Sequence, residues 1–182
     1  GLVVPALGLN ASVAPVPVLP GKIALVTQST AIGSAVIDRA VSRRIGFSTA
    51  LHLGTSLDVD LADVLDWLAE DPETERILVQ FDSVPAGRKF MSAARAAARN
   101  KPVVAIRGGR MAASPALTPF APDDVYDVAL RRAGWVPIAT LEDVFEAAEA
   151  MHRVRPMGGE RLAIIANGHG LGSIAATTLV NA

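Results

Sequence analysis

The stretch Lys22-Ile-Ala-Leu-Val-Thr-Gln-Ser-Thr-Ala-Ile-Gly-Ser34 is an apolar strand that leads through a short Ser/Thr turn into a helix. A similar stretch returns near the C-terminus, where Leu162 to Ala175 aligns with Ile23 to Val36. An apolar strand that opens directly into a helix is typical of an open parallel α/β sheet, in which ligands bind at the carboxyl ends of the strands. The free N–H groups in the first turn of such a helix favour anions. The first question is therefore whether a phosphoryl group binds there.

Composition limits the classes of function that the chain can have. Its 182 residues are 51% hydrophobic and carry a formal net charge of -1, enough for one full core and a remainder. The interspersed charges form no basic stripe, which argues against nucleic acid as a partner. The absence of cysteine excludes disulfides, thiolate metal sites and cysteine nucleophiles, and fits a cytoplasmic setting. Prolines interrupt the apolar first twenty residues far short of a membrane span.

Apolar runs of strand length alternate with segments of helical period, which is the pattern of a parallel sheet covered on both faces. The predicted strands are Ile23–Gln28, Ser48–Leu53, Ile77–Phe81, Val103–Arg107 and Val136–Ile138. The predicted helices are Ala31–Arg44, Leu61–Glu70, Arg88–Arg99, Asp124–Ala133 and Leu141–His152. Five strands alternating with five helices predict a flavodoxin-like doubly wound α/β fold with a parallel sheet.

The same pattern predicts the division into domains. Residues 1–20 are expected to form an extended arm or linker, and residues 21–155 the flavodoxin-like domain. Residues 156–182 are predicted to be a linker and the first strand, turn and helix of a second, truncated flavodoxin-like α/β domain. We therefore expect the chain to be a fragment of a longer protein.

Several motifs in order along the chain resemble a known family. They include Gly21-Lys-Ile-Ala-Leu-Val-Thr-Gln-Ser29, Gly54-Thr-Ser-Leu-Asp-Val-Asp60 and Asp71-Pro-Glu-Thr74. These motifs resemble the succinyl-CoA-ligase-like flavodoxin domain of NDP-forming acyl-CoA synthetases. Within that family, Gly8-Leu-Asn-Ala-Ser12 and Ser56-Leu-Asp-Val-Asp60 are most similar to bacterial protein lysine acetyltransferases that fuse an inactive synthetase region to a GNAT domain.

The resemblance implies a phosphohistidine loop after the fourth predicted strand, in a Ser-His-Thr-Gly pattern. The loop here begins Ser114-Pro-Ala-Leu-Thr118, and counting back from Tyr126 puts the histidine position on Pro115. Proline has no nucleophilic atom, so phosphoryl transfer through this loop is predicted to be absent. No catalytic residue is therefore assigned.

Two further positions depart from the family pattern that the resemblance implies. Asp82 stands where the family has a glutamate that faces the phosphohistidine, and it is one methylene shorter. Thr30 replaces a glycine in the first turn and adds a Cβ where a phosphate is expected to approach. The anion cradle is thus predicted to be modified but present. Its candidate residues are Ser29, Thr30, Ala31, Gly54, Thr55 and Ser56.

The resemblance leads to one main hypothesis about function and two alternatives. The main hypothesis is a non-catalytic, structural or acyl-CoA-sensing domain of a larger GNAT-type acetyltransferase. The first alternative is the alpha-type domain of an ADP-forming acetate or acyl-CoA ligase, and the second is an oligomerisation or interaction module. The fragment is expected to hold no cofactor, whereas the parent protein would use acetyl-CoA or CoA and, in the ligase case, ATP or ADP. The implied partners are CoA-binding Rossmann, ATP-grasp and GNAT domains of the same chain, and the resemblance also allows a homo-oligomer.

Simpler explanations stand beside the functional ones. Ser29 and Thr30 are preferred at helix starts whatever the function, so capping competes with ligand binding there. His52, in the middle of a predicted strand, is interpreted as a packed or hydrogen-bonded residue. Asp58, Asp60 and Asp63 are spread over a turn and a first helical turn, which favours a helix start over a metal site, and no metal is predicted. Trp67 and Phe90 are expected to face the core.

Overall fold

The strand predicted from the opening stretch lies at the centre of a seven-stranded sheet. The computed structural model describes residues 1–14, 16–108, 123–153 and 162–180. Its strands are β1 Leu2–Val4, β2 Leu9–Ala11, β3 Pro20–Thr27, β4 Phe47–His52, β5 Arg76–Phe81, β6 Val103–Arg107 and β7 Val136–Ile138. They lie side by side in the order β2-β1-β4-β3-β5-β6-β7.

The described helices are α1 Thr30–Ser42, α2 Leu61–Glu70, α3 Gly87–Asn100, α4 Asp123–Ala133, α5 Leu141–Arg153 and α6 His169–Val180. Helices α1 to α4 connect the parallel strands, and the bounds of α1 to α5 agree with the sequence prediction to within two residues. A 3₁₀ turn at Pro5–Leu7 joins β1 to β2.

The five parallel strands have the order β4-β3-β5-β6-β7, which is the flavodoxin order 2-1-3-4-5. The predicted flavodoxin-like α/β fold is therefore confirmed. In this order the chain reverses its direction of winding between β3 and β5. The crevice outside their carboxyl ends is where such folds bind ligands, so we call the junction of β3 and β5 the switch point.

Alternate residues of β3 supply the two halves of the core. Ala24 and Val26 pack with α2 and α3, whereas Ile23 and Leu25 pack with α1 and α5. A strand buried on both faces must be apolar at every position, which explains its unbroken hydrophobic run. The predicted core position of Phe90 is confirmed, since it is 4% exposed.

Trp67 is the exception among the predicted core residues, because half of it is exposed to solvent. It lies on α2 between two positions that do face inward, Leu65 and Leu68. The apolar face of this helix is filled by those smaller side chains, so the indole is left on the outer side. The expectation that Trp67 faces the core was wrong.

The N-terminal segment extends the sheet. β1 pairs antiparallel with β4 on one side and with β2 on the other, and Val3 is buried. The predicted arm at residues 1–20 thus contributes two short strands that cover the edge of β4. An extended segment beside an unpaired strand satisfies the backbone groups of that strand, which the local sequence pattern alone does not show.

The C-terminal segment forms a helix that carries many exposed apolar residues. Leu171 is 66% exposed and Ile165, before the helix, is 97% exposed. Residues 162–168, where a strand was predicted, pair with no other strand of the described structure. A β-strand forms only when its backbone pairs with that of a neighbouring strand. The division into domains stays a prediction. Within the described ranges, no helix has the length and apolar character that crossing a bilayer requires.

Candidate functional site

The carboxyl ends of the parallel strands surround a cleft of about 480 Å³. Its walls come from the segments that follow β3, β4 and β5, which are brought together only by the sheet. The lining residues are Gln28, Gly54, Thr55, Ser56, Asp82, Ser83 and Pro85. We call this cavity the carboxyl-edge cleft. It contains three of the six predicted anion-binding candidates together with Asp82.

Asp82 is the charged side chain of the cleft, and both its backbone and its carboxylate are held. Its amide donates to Oε1 of Gln28 at 2.7 Å, and its Oδ1 accepts from Nε2 of Gln80 at 2.9 Å. Gly108, at the end of β6, packs against the same oxygen, since a Cβ on Gly108 would lie 2.0 Å from it. The side chain nevertheless remains exposed. An exposed, oriented carboxylate can accept a hydrogen bond from a donor that enters the cleft.

Ser29, Thr30 and Ala31 begin helix α1 beside the switch point. Ser29 is the N-cap residue, and its Oγ accepts from the amide of Ile32 at 3.4 Å. The amide of Ser29 itself donates to Oε1 of Gln80 at 2.9 Å. Thr30 and Ala31 are exposed in the first turn but do not line the carboxyl-edge cleft. The capping explanation is confirmed for Ser29, and the anion-binding role of all three stays a prediction.

Gly54, Thr55 and Ser56 form a tight turn after β4. Gly54 and Ser56 have left-handed backbones, with φ of 61° and 54°. The Oγ of Ser56 is buried and makes no hydrogen bond. A non-glycine residue in this conformation costs about 1–2 kcal/mol relative to the right-handed region. The turn therefore carries both strain and an unsatisfied hydroxyl at the wall of the cleft.

The acidic residues that follow this turn hold α2 in place. Asp60 and Asp63 form a capping box, in which Asp60 Oδ1 accepts from the amide of Asp63 at 3.0 Å. Lys89 of α3 lies 2.7 Å from Asp63 and 3.0 Å from Asp60. The hydrogen bond from Lys89 lowers the pKa of Asp63, and the same bond raises the pKa of Lys89. In the parts of the chain that the structure describes, no cluster of three or more potential metal ligands is found.

His52 at the end of β4 is confirmed as a packed and hydrogen-bonded residue. It is 8% exposed, and its Nδ1 lies 2.9 Å from the hydroxyl of Thr27. Burial lowers its pKa. Gly33 of α1 packs directly on the ring, so His52 supports the first turn of that helix. His52 does not line the carboxyl-edge cleft.

A second cavity, of about 240 Å³, lies between α1 and α5. Charged side chains line its rim, but they pair with one another. Arg43 lies 3.1 Å from Glu149, and Arg39 lies 3.6 Å from Glu142. This groove is lined by residues of the two helices, by Arg43 just after α1 and by Ile45, and the carboxyl-edge cleft remains the candidate site.

Comparison with known proteins assigns the chain to a family. Residues 20–151 match the model of the succinyl-CoA ligase like flavodoxin domain. The chain belongs to this family. The chain is 34% identical, over 96% of its length, to the acetate–CoA ligase [ADP-forming] I subunit alpha of Pyrococcus furiosus. It is also 34% identical, over 97% of its length, to the acetate–CoA ligase [ADP-forming] I of Archaeoglobus fulgidus.

A solved structure shares the architecture of the succinyl-CoA ligase-like domain. The dinucleotide forming acetyl-coenzyme A synthetase 1 of Ca. Korarchaeum cryptofilum, in its apo form, superposes with a TM-score of 0.88 at 31% identity and covers the whole chain. A second structure of that synthetase contains phosphate and ADP. The chain spans 41% of the synthetase and 39% of the Pyrococcus subunit. Further domains or subunits therefore accompany this region in its relatives.

These relatives correct the main hypothesis about function. The expectation of a non-catalytic region of a GNAT-type acetyltransferase was wrong, because the matching proteins are ADP-forming acyl-CoA ligases. The short motifs at residues 8–12 and 56–60, which suggested the acetyltransferases, cover only ten positions. The similarity over the whole length outweighs them and agrees with the first alternative.

The sequence pattern identified Asp82 and the turn after β4 but not the residues that contact Asp82. Gln28, Gln80 and Gly108 received no role, although a glutamine inside the apolar run Ile77–Phe81 is an unusual residue for a buried strand. That signal could have indicated a buried polar contact. Pro115, at the predicted phosphohistidine position, lies outside the described residues, so its role stays a prediction.

Proposed function

We propose that this chain is the alpha-type domain of an ADP-forming acyl-CoA ligase, and that the carboxyl-edge cleft is the face it turns toward the reacting groups. The observation that carries the proposal is the 34% identity to a ligase alpha subunit along 96% of the chain. The cleft lies at the switch point, where doubly wound folds bind their ligands. The proposed activity, ADP-forming acyl-CoA ligation, is that of the whole protein to which this domain belongs.

The substrate class is a small carboxylic acid, with CoA and ATP or ADP as the other reactants. The relatives differ in the acid they use, since one is an acetate ligase and another a 4-hydroxybutyrate ligase. Because both ligases contain this domain, we expect it to act on the reactants that they share, CoA and ATP or ADP, and not to select the carboxylic acid. CoA-binding and ATP-grasp regions of the same protein are the expected partners, and a cytoplasmic location remains expected.

Asp82 is the residue to which the proposal gives the most defined role. Its carboxylate is exposed, and no basic side chain is present among the residues that line the described cleft. A bare phosphate would meet an unfavourable charge there, whereas an N–H donor would find an acceptor. We assign Asp82 the role of orienting a donor group that another segment brings to the cleft.

Pro115, at the predicted phosphohistidine position, implies that this domain does not carry the phosphoryl group. Because proline cannot carry a phosphoryl group, the domain binds and orients but does not hold the phosphate covalently at that position. Incubation of the full-length protein with radiolabelled ATP should then leave no acid-labile phosphate in a peptide that contains residues 109–122. Label in that peptide would contradict this assignment.

The proposal is tested by the turnover of the full-length protein. Acetate, CoA and ATP are supplied, and formation of acetyl-CoA and ADP is measured for the wild type, Asp82→Asn and Asp38→Asn. Asp38 is exposed on α1, so its variant makes the same charge change away from the cleft. We expect turnover in the wild type, a loss of about 10- to 100-fold for Asp82→Asn and little change for Asp38→Asn. Absence of acyl-CoA formation in a wild-type protein that still binds CoA overturns the ligase assignment.

A further inference from the structure

The chain contains two glutamines, Gln28 and Gln80, and both lie at the switch point. Gln28 follows β3 and Gln80 lies near the end of β5, so the reversal of winding places them on neighbouring strands. Each side chain crosses the crevice between the strands. Together they connect helix α1, the end of β5 and Asp82.

Gln80 makes two hydrogen bonds that fix the orientation of its amide. Its Oε1 accepts from the backbone amide of Ser29 at 2.9 Å, and its Nε2 donates to Oδ1 of Asp82 at 2.9 Å. The reverse orientation would put a donor against the Ser29 N–H and an acceptor against a carboxylate. Since Gln80 is 2% exposed, water cannot easily replace either bond.

Gln28 holds the backbone of the same segment. Its Oε1 accepts from the amides of Asp82 at 2.7 Å and Ser83 at 3.2 Å, and its Nε2 donates to the carbonyl of Ser83 at 3.0 Å. Its side chain makes no hydrogen bond to the Asp82 carboxylate. The two glutamines therefore have separate tasks, because one holds the main chain and the other the charged group.

Gly108, directly after β6, also packs against the Asp82 carboxylate. A Cβ at this position would lie 2.0 Å from Oδ1 of Asp82 and 3.1 Å from Nε2 of Gln80. The oxygen that Gln80 holds is thus also the oxygen against which β6 ends. Residues 109–122, which include the predicted phosphohistidine position, continue from Gly108.

We propose that Gln80 is a positioning residue that sets the direction of the Asp82 carboxylate and couples it to the start of α1 through the amide of Ser29. The inference deepens the proposed function and, for its kinetic readout, rests on it. Gln80 touches no reacting group and acts only through Asp82.

Two substitutions separate this role from a purely structural one. Gln80→Met has a similar size and removes both hydrogen bonds. Gln80→Glu keeps an acceptor for the Ser29 amide, but it can donate to Asp82 only while it is protonated, and when ionised it places a like charge beside Asp82. Gln80→Met should lower kcat of the full-length protein about 10- to 100-fold at every pH, with the KM for acetate and CoA within about twofold.

The pH profile of Gln80→Glu is the sharpest readout. Its turnover relative to wild type should be highest near pH 5.5 and should fall as the pH rises toward 8, because the donor is lost on ionisation. If Gln80 only supports the fold through Ser29, Gln80→Glu and wild type should have parallel profiles. Parallel profiles would overturn the inference, as would a Gln80→Met effect that persists undiminished in an Asp82→Ala background.

A second measurement does not depend on ligase activity. Selective ¹⁵N-glutamine labelling of the 182-residue chain yields two pairs of side-chain NH2 signals, one pair for each glutamine. Asp82→Ala should shift the Gln80 side-chain signal and speed its exchange with solvent. The Gln28 signal is the internal control, since its partners are backbone atoms that the substitution retains.

The two measurements distinguish failure of the inference from failure of the proposed function. An unmoved Gln80 signal in Asp82→Ala shows that the contact does not hold the carboxylate, and the inference is then wrong whatever the turnover. A shifted Gln80 signal in a protein without ligase turnover supports the positioning role and overturns the ligase proposal alone.

Discussion

Gly33 of α1 packs on the ring of His52 so closely that a Cβ on Gly33 would lie 2.1 Å from Cε1 and 2.5 Å from Nδ1 of the histidine. The same Cβ would lie 2.9 Å from the hydroxyl of Thr27. The first turns of α1 can therefore rest on β3 and β4 only if position 33 has no side chain. This contact sets how near the start of α1 comes to the switch point.

Gly33→Ala should destabilise the chain although alanine favours helices. The propensity gain is about 1 kcal/mol. Overpacking against a buried ring and a buried hydroxyl costs about 1–3 kcal/mol, which offsets or exceeds that gain. Urea denaturation followed by circular dichroism measures the difference. Gly87→Ala is the matched control, because a Cβ there meets nothing within 4 Å, and equal stabilities for the two variants would refute the close contact.

His52 should make stability depend on pH. Burial lowers its pKa below the ordinary 6.5, so the unfolded chain binds the proton more readily than the folded one. The neutral His52 ring contributes fully to the free energy of unfolding above about pH 6.5. This contribution is lost as the pH falls through the lowered pKa of His52 in the folded chain. Unfolding free energies at pH 7.5 and 5.5 should differ more for wild type than for His52→Asn. The same pH dependence in both proteins would assign the effect to other groups.

Lys101 should contribute to stability through the end of α2. Its ammonium donates to the carbonyl of Leu68 in the last turn of α2 and to the carbonyl of Asp71, which also accepts from the amide of Thr74, and burial lowers the pKa of Lys101. Lys101→Met should cost about 1–3 kcal/mol, because two acceptors lose a charged donor. Lys22→Met is the control, since Lys22 pairs with Glu73 at the surface, where screening by solvent leaves an ion pair little net effect on stability. Thermal unfolding of the two variants compares them, and a larger loss for Lys22→Met would contradict the assignment.

Gly108→Ala should affect activity more than stability. Its Cβ would meet the end of the Asp82 side chain, which can rotate away without a shift of the backbone, although the hydrogen bond from Gln80 is then lost. The displaced carboxylate then no longer faces the cleft as in the wild type. We expect turnover of the full-length protein to fall about 10-fold or more while its melting temperature shifts little. Wild-type turnover in this variant would show that the position of Asp82 is not critical.

The outline of the fold could be predicted because its signals are local. The run Ile23–Val26 is apolar at every position, and Asp60 and Ser29 occupy the starts of helices where their side chains cap the backbone. Trp67 shows where local signals fail, because a helical period does not determine which large residue lies at the margin of the buried face. β1 and β2 were missed as strands since each has three residues and depends on a neighbour distant in sequence.

The sequence by itself determined the alternation of strands and helices, the doubly wound class and the family to which the chain belongs. Only the tertiary structure decided which side chains meet at the switch point. Gln28 and Gln80 are 52 positions apart, and the ends of β3 and β5 become neighbours through sheet pairing. Periodicity reports which face of an element is buried, whereas a hydrogen bond between two elements depends on their register and order in the sheet. The arrangement around Asp82 therefore arises only when the whole sheet is assembled.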